Sequence, residues 1–119
     1  FVSGQVPFKD GKLAYVGKVG KELTLEEGAA AARQCAINIL AQVKAACGGD
    51  LERIRRCVKL GGFVNSVPDF TDHPKVINGA SDLMVDVLGD RGRHARFALG
   101  AGSLPGNCAV EVDAVFEIE

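Results

Sequence analysis

The stretch "ARFALGAGSLPGN", residues 95–107, sets an arginine into an apolar run that ends in a glycine-rich turn. Read as a strand, its side chains alternate between two faces. Ala95, Phe97, Leu99 and Ala101 then share one face, and His94, Arg96, Ala98 and Gly100 share the other. Arg96 stands beside two very small neighbours, with space around its head group. A desolvated guanidinium without a partner is costly, so an arginine in that setting calls for a carboxylate or a phosphate. Two sources are open: an acid of the chain in a structural ion pair, or a ligand carboxylate gripped bidentately. Arg91, Arg93, His94 and Arg96 form a local basic cluster, of which Arg91 and Arg93 read as a solvated strand start.

Other chemistries find less support. No GxSxG is present, and the two histidines, His73 and His94, fall in a loop-like stretch and at the start of a strand. "GAGSLPG" has the spacing GxGxxxG and joins two strands rather than opening a helix, so a dinucleotide-binding reading fails on context. Cys35, Cys47, Cys57 and Cys108 show no CxxC spacing. With two histidines as the only other soft ligands, they predict buried reduced thiols rather than a zinc site or a disulfide framework. No metal and no cofactor are expected, and reduced thiols favour the cytoplasm.

Several elements must position these residues. "FVSGQVPF", "KDGK" and "LAYVG" read as strand, turn and strand, with Asp10-Gly11 as the turn. Thr24 opens a helix with Glu27 three residues later as a capping box. Ala29, Ala32, Ala36, Ile39, Leu40, Val43 and Cys47 recur at helical spacing until "GGD" at 48–50 stops the run. A strand within 53–67 is expected to be irregular at Gly61-Gly62. The spacing predicts a second helix over 75–88, with Val76, Ile77, Ala80, Leu83, Met84, Val87 and Leu88 inward. Two last strands, about 94–102 and 109–118, are expected to form a hairpin through "SLPGN". The order ββαβαββ predicts an α/β sandwich with both helices on one face of the sheet.

In the last strand Val110, Val112, Ala114, Phe116 and Ile118 form an apolar face, and Glu111, Asp113, Val115 and Glu117 form the other. The hairpin register would set position 96 opposite about 115 and Glu111 opposite about 100. Four residues along a strand span about 13 Å, so Arg96 and Glu111 are not expected to pair within one chain. If they cooperate, a ligand or a second subunit brings them together.

The chain has 119 residues, 47% hydrophobic and 24% charged, with a formal charge of −1. These values describe a globular domain, here read as one unit over 1–119. They supply no basic field for nucleic acid or a membrane surface, and no apolar run has the length of a membrane span. "FVSGQVPF" lacks an initiator Met and already reads as a strand, so an upstream strand is expected to be missing from the chain.

The residues resemble the YjgF/RidA family of imine deaminases, also called endoribonuclease L-PSP or translation inhibitor proteins. The likeness runs through "FVSGQVP", the alanine-rich helix, "GGFVNSVPDF" and "RHARFALGAGSLPGNCAVEVDAVFEIE", and is nearest to a divergent branch with a longer helix–strand insertion. It implies a chorismate-mutase-like fold that forms a homotrimer through its sheets, with ligand clefts between subunits. It also implies Arg96 as the carboxylate-binding arginine and Glu111 as the catalytic acid that positions water. Ser3 and Gly4 match the cleft-lining "SGQ" segment, and Asn78 a cleft asparagine. Where these deaminases have Arg-Ser-Cys, this chain has Arg96-Phe97-Ala98, so Ala98 contributes its backbone carbonyl. The implied activity is hydrolysis of small 2-imino or enamino acids to 2-keto acids and ammonia. A different class is kept open beside it, a non-catalytic trimer that binds small carboxylates in the same cleft. An endoribonuclease reading receives no help from charge or from base-stacking aromatics.

Overall fold

Thr24 caps the first helix as its spacing predicts. Its hydroxyl accepts the Glu27 N–H at 3.1 Å, and the Glu27 carboxylate accepts the Thr24 N–H at 3.0 Å. In the computed structural model, which describes residues 1–119, helix α1 runs over Leu25–Ala46. Its inward face is Ala31, Ala32, Cys35, Ala36, Ile39, Leu40 and Val43. Helix α2, His73–Leu88, starts two residues earlier than its apolar spacing suggests, because Pro74 is tolerated in a first turn that needs no N–H from it. It ends at Gly89, whose φ of 64° favours glycine. Val87 is 45% exposed rather than inward; the other six positions expected inward are buried. The helices meet closely: a Cβ on Gly79 would collide with the Ala29 carbonyl.

Four strands form the main sheet: β1 (Val2–Gln5), β4 (Ile54–Asn65), β5 (Ala95–Ala101) and β6 (Val110–Ile118), in the order β1-β6-β4-β5. A small separate hairpin joins β2 (Phe8–Lys9) to β3 (Lys12–Leu13) through Asp10 and Gly11, both at positive φ as a tight two-residue turn requires. The expected second strand therefore shrinks to this hairpin, and Val16 adds a single bridge to Cys108.

The hairpin expected of β5 and β6 does not form. The connection β4–α2–β5 is a crossover, so β5 lies parallel to β4 and takes the sheet edge. β6 pairs antiparallel with the other side of β4, which carries the more buried and longer run and occupies the interior. The irregularities of β4 also lie elsewhere than expected. The register shifts between Ile54 and Arg56 and between Cys57 and Lys59, while Gly61 and Gly62 pair regularly. Those glycines answer close packing instead: a Cβ on Gly62 would meet Ile77 at 2.7 Å, and one on Gly61 would meet the Phe97 ring and the Asp113 carboxylate.

Two helices thus cover one face of a mixed four-stranded sheet, an α+β sandwich of the chorismate-mutase-like kind. All four cysteines are buried free thiols. Burial pushes the Cys57 thiol up to about 11 and raises Cys35 and Cys108 as well, the last two helped by the Glu111 carboxylate nearby. No helix is long and apolar enough to cross a membrane. The second sheet face has no cover from its own chain. On it Phe97 meets Phe63 edge to face at 5.2 Å and Lys59 Nζ lies 5.3 Å from the Phe97 ring centre, while Leu99 is 52% exposed.

Candidate functional site

Arg96 projects from the edge strand β5 to the helix side, where α2 passes over it. Nη1 donates to Ser81 Oγ at 3.0 Å and Nη2 to the Pro74 carbonyl at 3.3 Å. No carboxylate of the chain lies within ion-pair distance of this guanidinium, so the structural ion pair left open by the sequence does not exist. Asn78, Ser81, Asp82, Arg93, His94 and Arg96 line an open groove of about 290 Å³ at this place.

The small residues beside Arg96 have a steric reason. A Cβ on Gly100 would lie 2.7 Å from His73 Nε2, so the imidazole at the start of α2 occupies part of the room that the alternation leaves open. His73 in turn shares a 3.2 Å hydrogen bond with Ser66 and packs edge-on to Phe70. Ala98 lies between, half-buried against the core. Arg93 is paired with Asp90 at 3.2 Å and exposed, as expected of a solvated strand start, whereas Arg91 caps β4 by donating to the Ile54 carbonyl at 2.6 Å.

Glu111 sits on the other face of the sheet. Its carboxylate lies against the backbone of Gly4, where a Cβ would collide with Oε2. It has no hydrogen-bonded or ionic partner in the chain. Ser3 neighbours Gly4 in a bulged stretch of β1, where the register slips between Val2 and Gln5. Asn38 of α1 fixes the chain beyond it, its side-chain amide donating to the Val6 and Phe8 carbonyls at 3.0 Å each. The six expected site residues therefore fall into two groups. Arg96 and Asn78 line the edge groove, Ala98 lies beside it on β5 against the core, and Glu111, Gly4 and Ser3 belong to the strands β1 and β6.

Arg96 is level with Leu60 of β4 and Glu111 with Phe63. Three residues along and two strands across put their Cα atoms roughly 14 Å apart by strand geometry, with the side chains on opposite faces. The separation expected from the hairpin survives, although the hairpin itself was the wrong reason.

Ser81 was not singled out from the sequence, and His94 only as part of a basic cluster. The available signal was Asn78 and Ser81, two polar residues three apart and so on one side of α2. His94 Nε2 lies 2.9 Å from Ser81 Oγ, and Nδ1 lies 2.6 Å from the Gly92 carbonyl.

Fold and groove together define a chorismate-mutase-like α+β protein with an unpaired arginine at the sheet edge. Residues 1–118 match the family described as "YjgF/chorismate_mutase-like, putative endoribonuclease", and the chain belongs to that family. It is 52% identical over 118 residues to Protein TCP17 of Trypanosoma cruzi, covering 98% of this chain and 73% of that one. Among solved structures it is similar to Atu1372 of Agrobacterium tumefaciens, a protein of unknown function. That match has 56% identity and a TM-score of 0.97, over 98% of this chain and 74% of the other. A "putative endoribonuclease" from Shewanella oneidensis MR-1 is 40% identical with a TM-score of 0.94, over 98% of this chain and 76% of its own.

Proposed function

We propose that this protein hydrolyses small 2-imino and enamino acids to 2-keto acids and ammonia, in a cleft completed by a second copy of the chain. The observation that carries this reading is the Arg96 guanidinium, half-buried in a groove with no carboxylate of its own chain. Its remaining N–H groups are free to grip a ligand carboxylate in the two-pronged manner that suits arginine. Glu111 complements it as an acid equally without a partner. A trimer built on the open sheet face would bring Glu111 of one copy to the Arg96 groove of the next and would cover Phe63, Phe97 and Leu99. Asn78 adds an amide beside the carboxylate, and the Ala98 carbonyl an acceptor for the substrate nitrogen.

The reaction is R–C(=NH)–COO⁻ + H₂O → R–C(=O)–COO⁻ + NH₃. Arg96 holds the carboxylate and draws electron density from C2. Glu111 takes a proton from the water as its oxygen adds to C2, a general-base role. The C–N bond then breaks, both water protons having passed to nitrogen and the oxygen remaining as the carbonyl.

An imine generated in place by an amino-acid dehydratase or oxidase tests the reading. Keto-acid and ammonia release should exceed the spontaneous rate, and Arg96→Ala should return it to background. Carboxylate binding without acceleration would establish the binder instead. RNA cleavage that survives Arg96→Ala would not come from this groove.

A further inference from the structure

Hydrogen-bond direction in the groove is fixed by chemistry at both ends. The Gly92 carbonyl only accepts, so His94 Nδ1 carries a proton and donates to it. In the neutral imidazole Nε2 is then bare, and Ser81 must donate its hydroxyl proton there across 2.9 Å. The guanidinium only donates, so Ser81 Oγ accepts from Arg96 Nη1. The chain of donors runs in one direction, from Arg96 through Ser81 and His94 to Gly92.

From this we infer that the groove binds a small carboxylate together with a proton, which His94 takes up. The inference rests on Arg96 being the carboxylate grip. A carboxylate seated on Arg96 is an acceptor only, and its oxygens compete for the Ser81 hydroxyl proton. If Ser81 turns that proton to the ligand, Nε2 of His94 loses its donor. A proton added at Nε2 restores the bond in the opposite sense, with His94 donating to Ser81 and Ser81 donating to the carboxylate. Ligand-free, the same added proton would leave the Ser81 hydroxyl proton without its acceptor and set a second positive charge beside Arg96 with no anion to offset it. The ligand thus favours the charged imidazole, and the charged imidazole favours the ligand, with one coupling free energy in both directions.

Other charged groups around His94 do not replace this arrangement. Arg93 is engaged with Asp90 in the adjoining turn, and Arg91 with the Ile54 carbonyl. Lys59 of β4 pairs in register with Ala95 but lies on the far face over Phe97. Asp82 of α2 lines the same groove and is the one acid that could favour the imidazolium by charge alone. The groove so described holds a Brønsted acid whose charged form a bound carboxylate favours.

Pyruvate binding to the full chain, followed by calorimetry in two buffers of different ionisation enthalpy, tests this without any turnover. At pH 7.5 pyruvate binding should take up protons, and affinity should fall on going alkaline by no more than the ~10-fold per pH unit that a single linked proton allows. ¹⁵N spectra should show the share of His94 protonated at both nitrogens rising when pyruvate binds. His94→Gln should bind pyruvate without proton uptake, and Ser81→Ala should lose most of the uptake while retaining Arg96. Full uptake in Ser81→Ala, or its loss in Asp82→Asn, overturns the relay while leaving Arg96 as the grip. Pyruvate binding with no proton uptake does the same. No binding of pyruvate at any pH from about 5.5 to 8.5 overturns the inference and the Arg96 assignment together.

Discussion

Arg96 and Glu111 carry unpaired, opposite charges on opposite faces of one sheet, the arginine level with Leu60 and the glutamate with Phe63 of β4. No rotamer change within one chain can close that gap, because the sheet itself lies between them. A site that uses both has to be assembled from two copies.

Mixed assembly tests that consequence. Arg96→Ala and Glu111→Gln chains, each inactive alone in imine hydrolysis, are unfolded together, refolded and assayed. Random trimers should place both native groups in roughly a quarter of the clefts, and activity should reappear at about that fraction. Separate refolding followed by mixing without exchange should give none. Absence of recovery in co-refolded chains, with trimers confirmed by light scattering, would mean that the two residues do not share a cleft.

Gly4 controls the glutamate rather than the backbone. A methyl group there occupies the place of the Glu111 carboxylate, so Gly4→Ala should displace the acid while Arg96 keeps its grip. The expected signature is a fall in kcat of about 10-fold or more, with KM for the imino acid nearly unchanged. Thermal unfolding should shift little, since the position is exposed on β1. A variant with unchanged kcat would show that the acid tolerates another place.

Gly62 and Ile77 are coupled by packing. A Cβ at Gly62 would lie 2.7 Å from the Ile77 side chain, and such overpacking costs about 1–3 kcal/mol. Ile77→Val alone should cost about 0.5–1.5 kcal/mol. In urea unfolding the double variant should be less destabilised than the sum of the two, the mark of a shared contact. Strict additivity would place the contact elsewhere.

The buried thiols set an alkaline limit. Folding raises the Cys57 thiol from 9.0 to about 11 and also raises Cys35 and Cys108. A group whose folded value is raised contributes its full stability below the unfolded value and loses it as pH rises toward the folded one. Stability should therefore be flat with respect to these thiols up to about pH 8 and fall between about pH 9 and 11. Cys57→Ala should reduce the slope of Tm in that range. Ellman's reagent at neutral pH should find four thiols only after denaturation, and rapid native labelling would contradict their burial.

Much of the architecture follows from local pattern. The capping box at Thr24 and Glu27, the inward stripes of both helices and the alternation of β6 were legible because each is set by residues within a few positions of one another. Arg96 stood out through the alternation of its strand, whereas Ser3, Gly4, Asn78, Ala98 and Glu111 were joined to it as site candidates only through resemblance. Strand pairing was not legible. Alternation along "ARFALGA" is the same whether β5 pairs with β6 or with β4, and only the α2 crossover puts it parallel to β4. Ser81 and His94 escaped for a similar reason, since a serine on a helix and a histidine before a strand become partners only when α2 crosses β5.

By itself, the sequence determined most of the inward faces, where α1 begins and that Arg96 lacks bulky neighbours, because period and side-chain size are local properties. The tertiary structure decided that Arg96 has no acid of its own chain, that Glu111 lies across the sheet from it, and that Ser81 and His94 stand behind it. Those are distances between elements far apart in the chain, set by the order in which strands pair around β4 and by the path of α2 over the sheet edge.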